Sequence, residues 1–176
     1  MMENPKVLYL IGPMGSGKSF VGKAIATKLN LPFLDLDALI EEFTNQKISQ
    51  LFKDKGEANF RKIEAEMLRK HPPTSILATG GGTPCFHENM EWMNKNGITL
   101  YLRTTPGILQ KRLLNEKDKR PLIAEIPDKQ FLGFLENMIK TRAVFYEKAQ
   151  IIYNQELSNT TVVHDILKHL RPFLFL

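Results

Sequence analysis

The sequence predicts an α/β domain built on a parallel sheet of five strands. Two observations predict it. Short apolar runs, with almost no polar alternation, take turns with segments of helical periodicity, the pattern of strands buried on both faces. A glycine-rich loop also joins the first apolar run to the first helical segment, the order of strand, phosphate loop and helix.

The elements follow in order. KVLYLIG (6–12) reads as a buried strand, followed by a helix to about Leu29. LPFLDLD (31–37) holds the second strand, and helical patterns cover Ala38 to Phe43 and about Glu57 to Arg69. SILATGGG (75–82) is a third strand with its glycine turn; 86–95 reads as helix and ITLYLR (98–103) as the fourth strand. Pro106 stands where proline opens a helix, here to about Leu114. The polar stretch 115–128, with two prolines, reads as a loop. Residues 129–149 form a long helical pattern, QIIY (150–153) the fifth strand, and Thr160 to Leu170 the last helix. No repeat or linker interrupts the 176 residues, so a single domain, 1–176, is expected.

Composition narrows the class. With 43% hydrophobic and 24% charged residues, the chain has the balance of a soluble globular protein. The single cysteine, Cys85, allows no internal disulfide and reads as a small buried hydrophobe, which fits a reducing cytoplasm. VLYLI is too short for a signal-peptide core or a membrane span. The net charge is +5, but basic residues are scattered. Their one concentration, Lys111 to Arg120, carries Glu116 and Asp118 and lacks interleaved aromatics. An anionic small molecule is favoured over nucleic acid or membrane, and without coiled-coil heptads a monomer is expected.

GPMGSGKS (Gly12, Pro13, Met14, Gly15, Ser16, Gly17, Lys18, Ser19) matches the P-loop pattern in its expected context. Its backbone N–H groups cradle phosphate oxygens at a helix N-terminus. Lys18 reaches the outer phosphates and the Ser19 hydroxyl ligates Mg²⁺. The motif implies nucleotide binding without naming the reaction. NKNG (94–97) lacks the aspartate of a guanine-reading motif, and the third strand ends in ATGGG rather than an acidic residue. GTPase and motor-ATPase readings therefore lose ground to a small-molecule kinase.

The acceptor side has three candidate features. Asp35 and Asp37 lie two apart at the end of the second strand, where side chains share a face near the ligand crevice. One could hold Mg²⁺ through water and the other accept a hydroxyl proton; alternatively, Asp37 caps the following helix. Arg61 and Glu64 share a helix face beside Phe60. They read either as a surface ion pair or as a guanidinium held for a substrate carboxylate. The glycines of ATGGG form a flexible loop or a place of close ligand approach.

GPMGSGKS, LDLD, FRKIE, TGGG, KRPL and TRAVFY occur in the order and approximate spacing of shikimate kinases. The chain resembles that family over essentially its whole length. The resemblance implies a P-loop kinase fold, a five-stranded parallel sheet flanked by helices, with a mobile lid here at about 115–128. It implies transfer of the γ-phosphoryl of ATP, with Mg²⁺, to the 3-hydroxyl of shikimate in aromatic amino-acid biosynthesis. By the same resemblance Asp37 binds shikimate hydroxyls and acts as base, and Asp35 lies near Mg²⁺. Arg61 and Arg142 hold the shikimate carboxylate. Gly80, Gly81 and Gly82 line its site, Arg120 closes from the lid onto the phosphates, and Arg112 stacks on adenine. One departure stands out: after the fifth strand the family often has an aspartate and then a proline, where this chain has Asn154 and no nearby proline. The glycine run predicts that Gly81→Val raises the Michaelis constant for shikimate and spares ATP. Rival readings are a gluconate or nucleoside monophosphate kinase of the same fold, or a nucleotide-dependent binding module.

Overall fold

The computed structural model describes residues 7–73, 75–117, 121–156 and 161–173. Five strands, β1 (Val7–Ile11), β2 (Phe33–Asp35), β3 (Ile76–Ala78), β4 (Gly97–Arg103) and β5 (Ile151–Asn154), pair in parallel in the order β2-β3-β1-β4-β5. No residue of β1 is more than 2% exposed, which is why VLYLI shows no polar alternation.

Helices cover both faces. On one, Tyr9, Ile11 and Leu77 pack with residues of α2 (Leu36–Thr44), α3 (Ile48–Leu68), α4 (Asn89–Asn96) and the end of α7 (Asp128–Tyr146). On the other, Leu8, Leu10 and Ile76 pack against α1 (Lys18–Leu29) and α8 (Val162–Leu170). A third cluster joins α5 (Pro106–Leu114) to α7 through Leu109, Leu113, Phe131 and Leu135.

This topology sets the site. The chain leaves β1 for the β2–β3 side and later crosses to β4 and β5, so the strand order reverses at β1. Ligands of such sheets bind beyond the carboxyl ends of the strands at that switch. Register places Leu10, Ala78 and Asp35 in one row, so the loops after β1, β2 and β3 start side by side.

Three segments differ most in extent from the sequence reading. Helix α3 begins at Ile48 rather than near Glu57, with a break at Gly56 (φ 73°, ψ 167°) that divides its periodicity. Its first turn is held from outside, because the Ile48 N–H donates to Glu41 Oε1 at 2.9 Å. The helical segment placed at 86–95 begins at Asn89, after a 3₁₀ turn over Thr83–Cys85. The stretch 115–128 is not all loop: α6 spans Pro121–Ala124, with Ile123 fully buried in the third cluster. Lys117 and Asp128 pair at 2.5 Å across the ends of this segment.

Candidate active site

The loop between β1 and α1 turns through three glycines at positive φ, Gly12 (141°), Gly15 (77°) and Gly17 (87°), a conformation that side chains resist. Helix α1 then starts at Lys18 with no side-chain cap and no acidic residue in its first turn, which leaves its positive end for an anion. Lys18 Nζ donates to the carbonyls of Gly12 (2.8 Å) and Pro13 (2.9 Å), folded back over the loop it belongs to. Ser16 is fully buried, and its hydroxyl finds no hydrogen-bond partner among the described residues. The loop opens on a crevice of about 930 Å³. Lys18, Ser19, Asp35, Asp37, Gly80 and Arg112 are among the residues that line it.

The two aspartates reach this crevice by a route that differs from the strand argument. The strand ends at Asp35, which is the N-cap of α2, and Asp37 lies in the first helical turn. Asp35 Oδ1 accepts the Asp37 N–H at 3.1 Å, so the cap is Asp35 and not Asp37. Asp35 Oδ2 accepts the Ser19 hydroxyl at 2.7 Å. Asp37 is left open to the crevice but walled by protein. Its carboxyl is pushed up to about 6, first by the loss of water around it and then by the charges of Asp35, Glu64 and Glu41, against the pull of Lys18. A carboxylate with this raised affinity for protons suits a base near neutral pH.

Arg61 is held as a buried guanidinium. It is 11% exposed, Nη1 meets Glu64 Oε2 at 2.9 Å and Nη2 meets Glu57 Oε1 at 3.0 Å. The rings of Phe86, Phe60 and Phe52 lie 4.4, 5.1 and 5.8 Å from its central carbon. Glu64 is 1% exposed and also accepts the Thr83 hydroxyl at 2.7 Å. The surface-pair reading of Arg61 therefore fails. Glu64→Ala is expected to destabilise the fold by about 3 kcal/mol, because Arg61 and Thr83 lose a buried partner. A denaturant midpoint unchanged from wild type would contradict this.

The glycine run is explained by protein atoms. None of Gly80, Gly81 and Gly82 is at positive φ. A Cβ on Gly80 would come within 3.0 Å of Glu64 Oε1 and 3.2 Å of Asp37 Oδ1. One on Gly82 would meet Arg61 Nη2 at 2.6 Å. One on Gly81 would meet the Met14 nitrogen at 3.2 Å, Arg142 Nη1 at 3.4 Å and the Gly12 carbonyl at 3.5 Å. Gly81→Val would therefore press on the phosphate loop as well as on Arg142, which revises the expectation that it spares ATP. Tyr146, whose hydroxyl donates to the Gly81 carbonyl, fixes the run from the other side.

Gly80 and Gly81 line the crevice, whereas Gly82, Arg61 and Arg142 adjoin it. Arg61 and Arg142 converge near Cys85: burial raises that thiol's pKa while both guanidiniums oppose the rise. Cys85 is half-buried rather than a core residue.

On the opposite wall, Arg112 Nη1 donates to the Gly15 carbonyl (3.2 Å) and to Gln155 Oε1 (2.9 Å). Gln155, which sequence reasoning missed, is a buried polar residue one position beyond β5. No local pattern marks it, since its partners lie far away in the chain. Asn154, at the departure noted above, accepts from Arg103 at 3.2 Å. Arg120 lies outside the described residues.

No group of three or more His, Cys, Asp or Glu among the described residues could hold a metal. The Ser19–Asp35 pair at the mouth of the phosphate loop still fits Mg²⁺, which takes few protein ligands and completes its shell with phosphates and water.

The geometry is that of a phosphate cradle facing a carboxylate, and the relatives agree. The shikimate kinase family model matches residues 14–171. The chain belongs to the shikimate kinase family. The kinase is 40% identical over 170 residues to a shikimate kinase from Bacteroides thetaiotaomicron, covering 95% of this chain and 97% of the relative. A crystal structure of shikimate kinase from that species covers 97% of this chain and 99% of its own, at TM-score 0.86 and 38% identity. The Acinetobacter baumannii shikimate kinase solved in complex with shikimate matches at TM-score 0.82 and 32% identity, covering 97% of this chain and 94% of the other.

Proposed function

We propose that the chain transfers the γ-phosphoryl group of ATP to the 3-hydroxyl of shikimate, a step in aromatic amino-acid biosynthesis. The observation that carries this reading is the convergence on one crevice of the phosphate loop and Asp37, with Arg61 and Arg142 adjoining across the glycine run. Phosphoryl transfer asks mainly for alignment and charge neutralisation. In this reading Lys18 leaves the Gly12 and Pro13 carbonyls for the outer phosphates. Arg61 and Arg142 hold the acceptor's carboxylate, Gly80, Gly81 and Gly82 keep space beside them, and Asp37 orients the hydroxyl and takes its proton. Ser19 and Asp35 would hold Mg²⁺, which when bound neutralises phosphate charge. Arg112 lies on the nucleotide side.

The segment 115–128 acts as the lid, and Arg120 closes from it onto the phosphates. Arg120→Ala is expected to lower kcat while the Michaelis constant for shikimate stays near wild type. A shikimate-binding defect at normal turnover would remove Arg120 from this role. The same reading has the kinase working as a cytoplasmic monomer on small anions, without nucleic acid or membrane; no helix among the described residues is long and apolar enough to cross a membrane.

An ADP-release assay with ATP and Mg²⁺ tests the reaction, with shikimate, gluconate and nucleoside monophosphates as parallel acceptors. Release that depends on shikimate alone is expected. Release driven by another acceptor would keep the nucleotide half and discard the acceptor roles of Arg61, Gly80 to Gly82 and Arg142.

A further inference from the structure

Gln155 joins three parts of the nucleotide wall. Its backbone N–H extends the β4–β5 ladder by donating to the Arg103 carbonyl at 2.8 Å. Its carboxamide nitrogen donates to the Ser16 carbonyl inside the phosphate loop at 2.8 Å. Its carboxamide oxygen accepts from Arg112 Nη1 at 2.9 Å and from the Thr104 hydroxyl at 3.4 Å. The partners fix the orientation of the amide: a guanidinium can only donate and a carbonyl can only accept. The residue is 6% exposed, so these bonds are made where an unmade one is expensive.

Arg112 is one end of this tether. It stands on α5, and the same nitrogen that meets Gln155 also meets the Gly15 carbonyl. A Cβ on Gly17 would lie 3.9 Å from it, so the guanidinium sits over the last glycine of the loop. Arg112 and Gln155 both line the crevice, together with Val162 and Val163. A long arginine side chain would otherwise sample several rotamers, at a cost in order each time nucleotide binds.

We propose that Gln155 is a positioning residue of the nucleotide half: its carboxamide locks Arg112 onto the phosphate loop and so presets the wall that ATP meets. This rests on the reading of Arg112 as a nucleotide-side residue. A glutamine supplies both a donor for the loop carbonyl and an acceptor for the guanidinium, which no carboxylate or aliphatic side chain of its size can do.

The test is steady-state kinetics and calorimetric titration with ADP on Gln155→Ala, Gln155→Met, Arg112→Ala and the Gln155→Ala/Arg112→Ala double variant. Methionine keeps the volume and loses both bonds, so it serves if alanine does not fold. The expected result is a rise of about tenfold in the Michaelis constant for ATP and in the ADP dissociation constant for each single variant. The constant for shikimate stays within about twofold, and the double variant is no worse than Arg112→Ala alone. A purely structural role would lower thermal stability and leave the nucleotide constants alone, and that outcome overturns the proposal. Additive losses in the double variant overturn it too, because Gln155 would then act without Arg112. If Arg112→Ala itself leaves both nucleotide constants unchanged, the assignment of Arg112 fails first and the proposal falls with it.

Discussion

Asp37→Asn is expected to lower kcat by roughly 10²- to 10⁴-fold, the range for loss of a positioned base, while the protein becomes more stable at neutral pH. The two effects have one cause. Folding walls Asp37 with protein and sets it against Asp35, Glu64 and Glu41, so its carboxyl is pushed up to about 6 from 3.8. A group whose folded pKa is raised adds stability that is complete below the unfolded value and disappears as pH climbs through the folded one. Wild type should therefore lose stability between about pH 4 and pH 6, from this residue, and the amide should not. Asp37 is open to crevice water, so the gain is discounted for screening to about 1 kcal/mol, or ~2–4 °C in melting temperature at pH 8. At pH 4 the two proteins should melt together.

The same shift predicts an acidic limb in kcat/KM for shikimate near pH 6. Melting curves at pH 4 and pH 8, with kcat at pH 8, check the substitution. An amide variant with near-normal turnover would leave Asp37 as a binding residue and move the proton elsewhere. Equal stability of the two proteins at pH 8 would mean that crevice water compensates the charge fully.

What the sequence could disclose was local. The five strands were legible because burial on both faces leaves uninterrupted apolar runs, and the phosphate loop because glycine spacing writes its backbone conformation directly. The Arg61–Glu64 pair was legible as helix spacing, but its burial under Phe86 was not, since Phe86 follows β3. Asp35 and Asp37 both line the crevice, but a helix cap brings them there and not the strand alternation that their spacing suggests. The first half of α3 escaped because its start is secured by Glu41 and its periodicity is divided at Gly56. Gln155 escaped for the same reason in stronger form, as all its side-chain partners come from other loops and helices. Contacts between distant segments leave no period to detect.

The glycine run gives the second large effect, and Gly82 is where it should appear. The three atoms closest to a Cβ built there are Arg61 Nη2, Cζ and Nη1, at 2.6, 2.9 and 2.9 Å. The tip of an arginine usually yields to such a contact, but this one is braced by Glu57, Glu64 and the Phe86 ring. Gly82→Ala must therefore displace the guanidinium or strain its brace, at about 1–3 kcal/mol. A charge-assisted fork aimed at a carboxylate tolerates little displacement, and misplacement of ~1 Å costs about 10²-fold. The expected result is a fall of that order in kcat/KM for shikimate, with the Michaelis constant for ATP within about twofold. Gly81→Ala should instead raise both constants, because its neighbours include the Met14 nitrogen and the Gly12 carbonyl of the phosphate loop. Gly107→Ala, whose new Cβ would meet no described atom within 4 Å beyond its chain neighbours and its own helix backbone, is the control and should change neither. If Gly82→Ala raises both constants in parallel, the run acts as a hinge for the whole crevice. If it raises neither, Arg61 does not hold the acceptor, and the carboxylate must be sought at Arg142 alone.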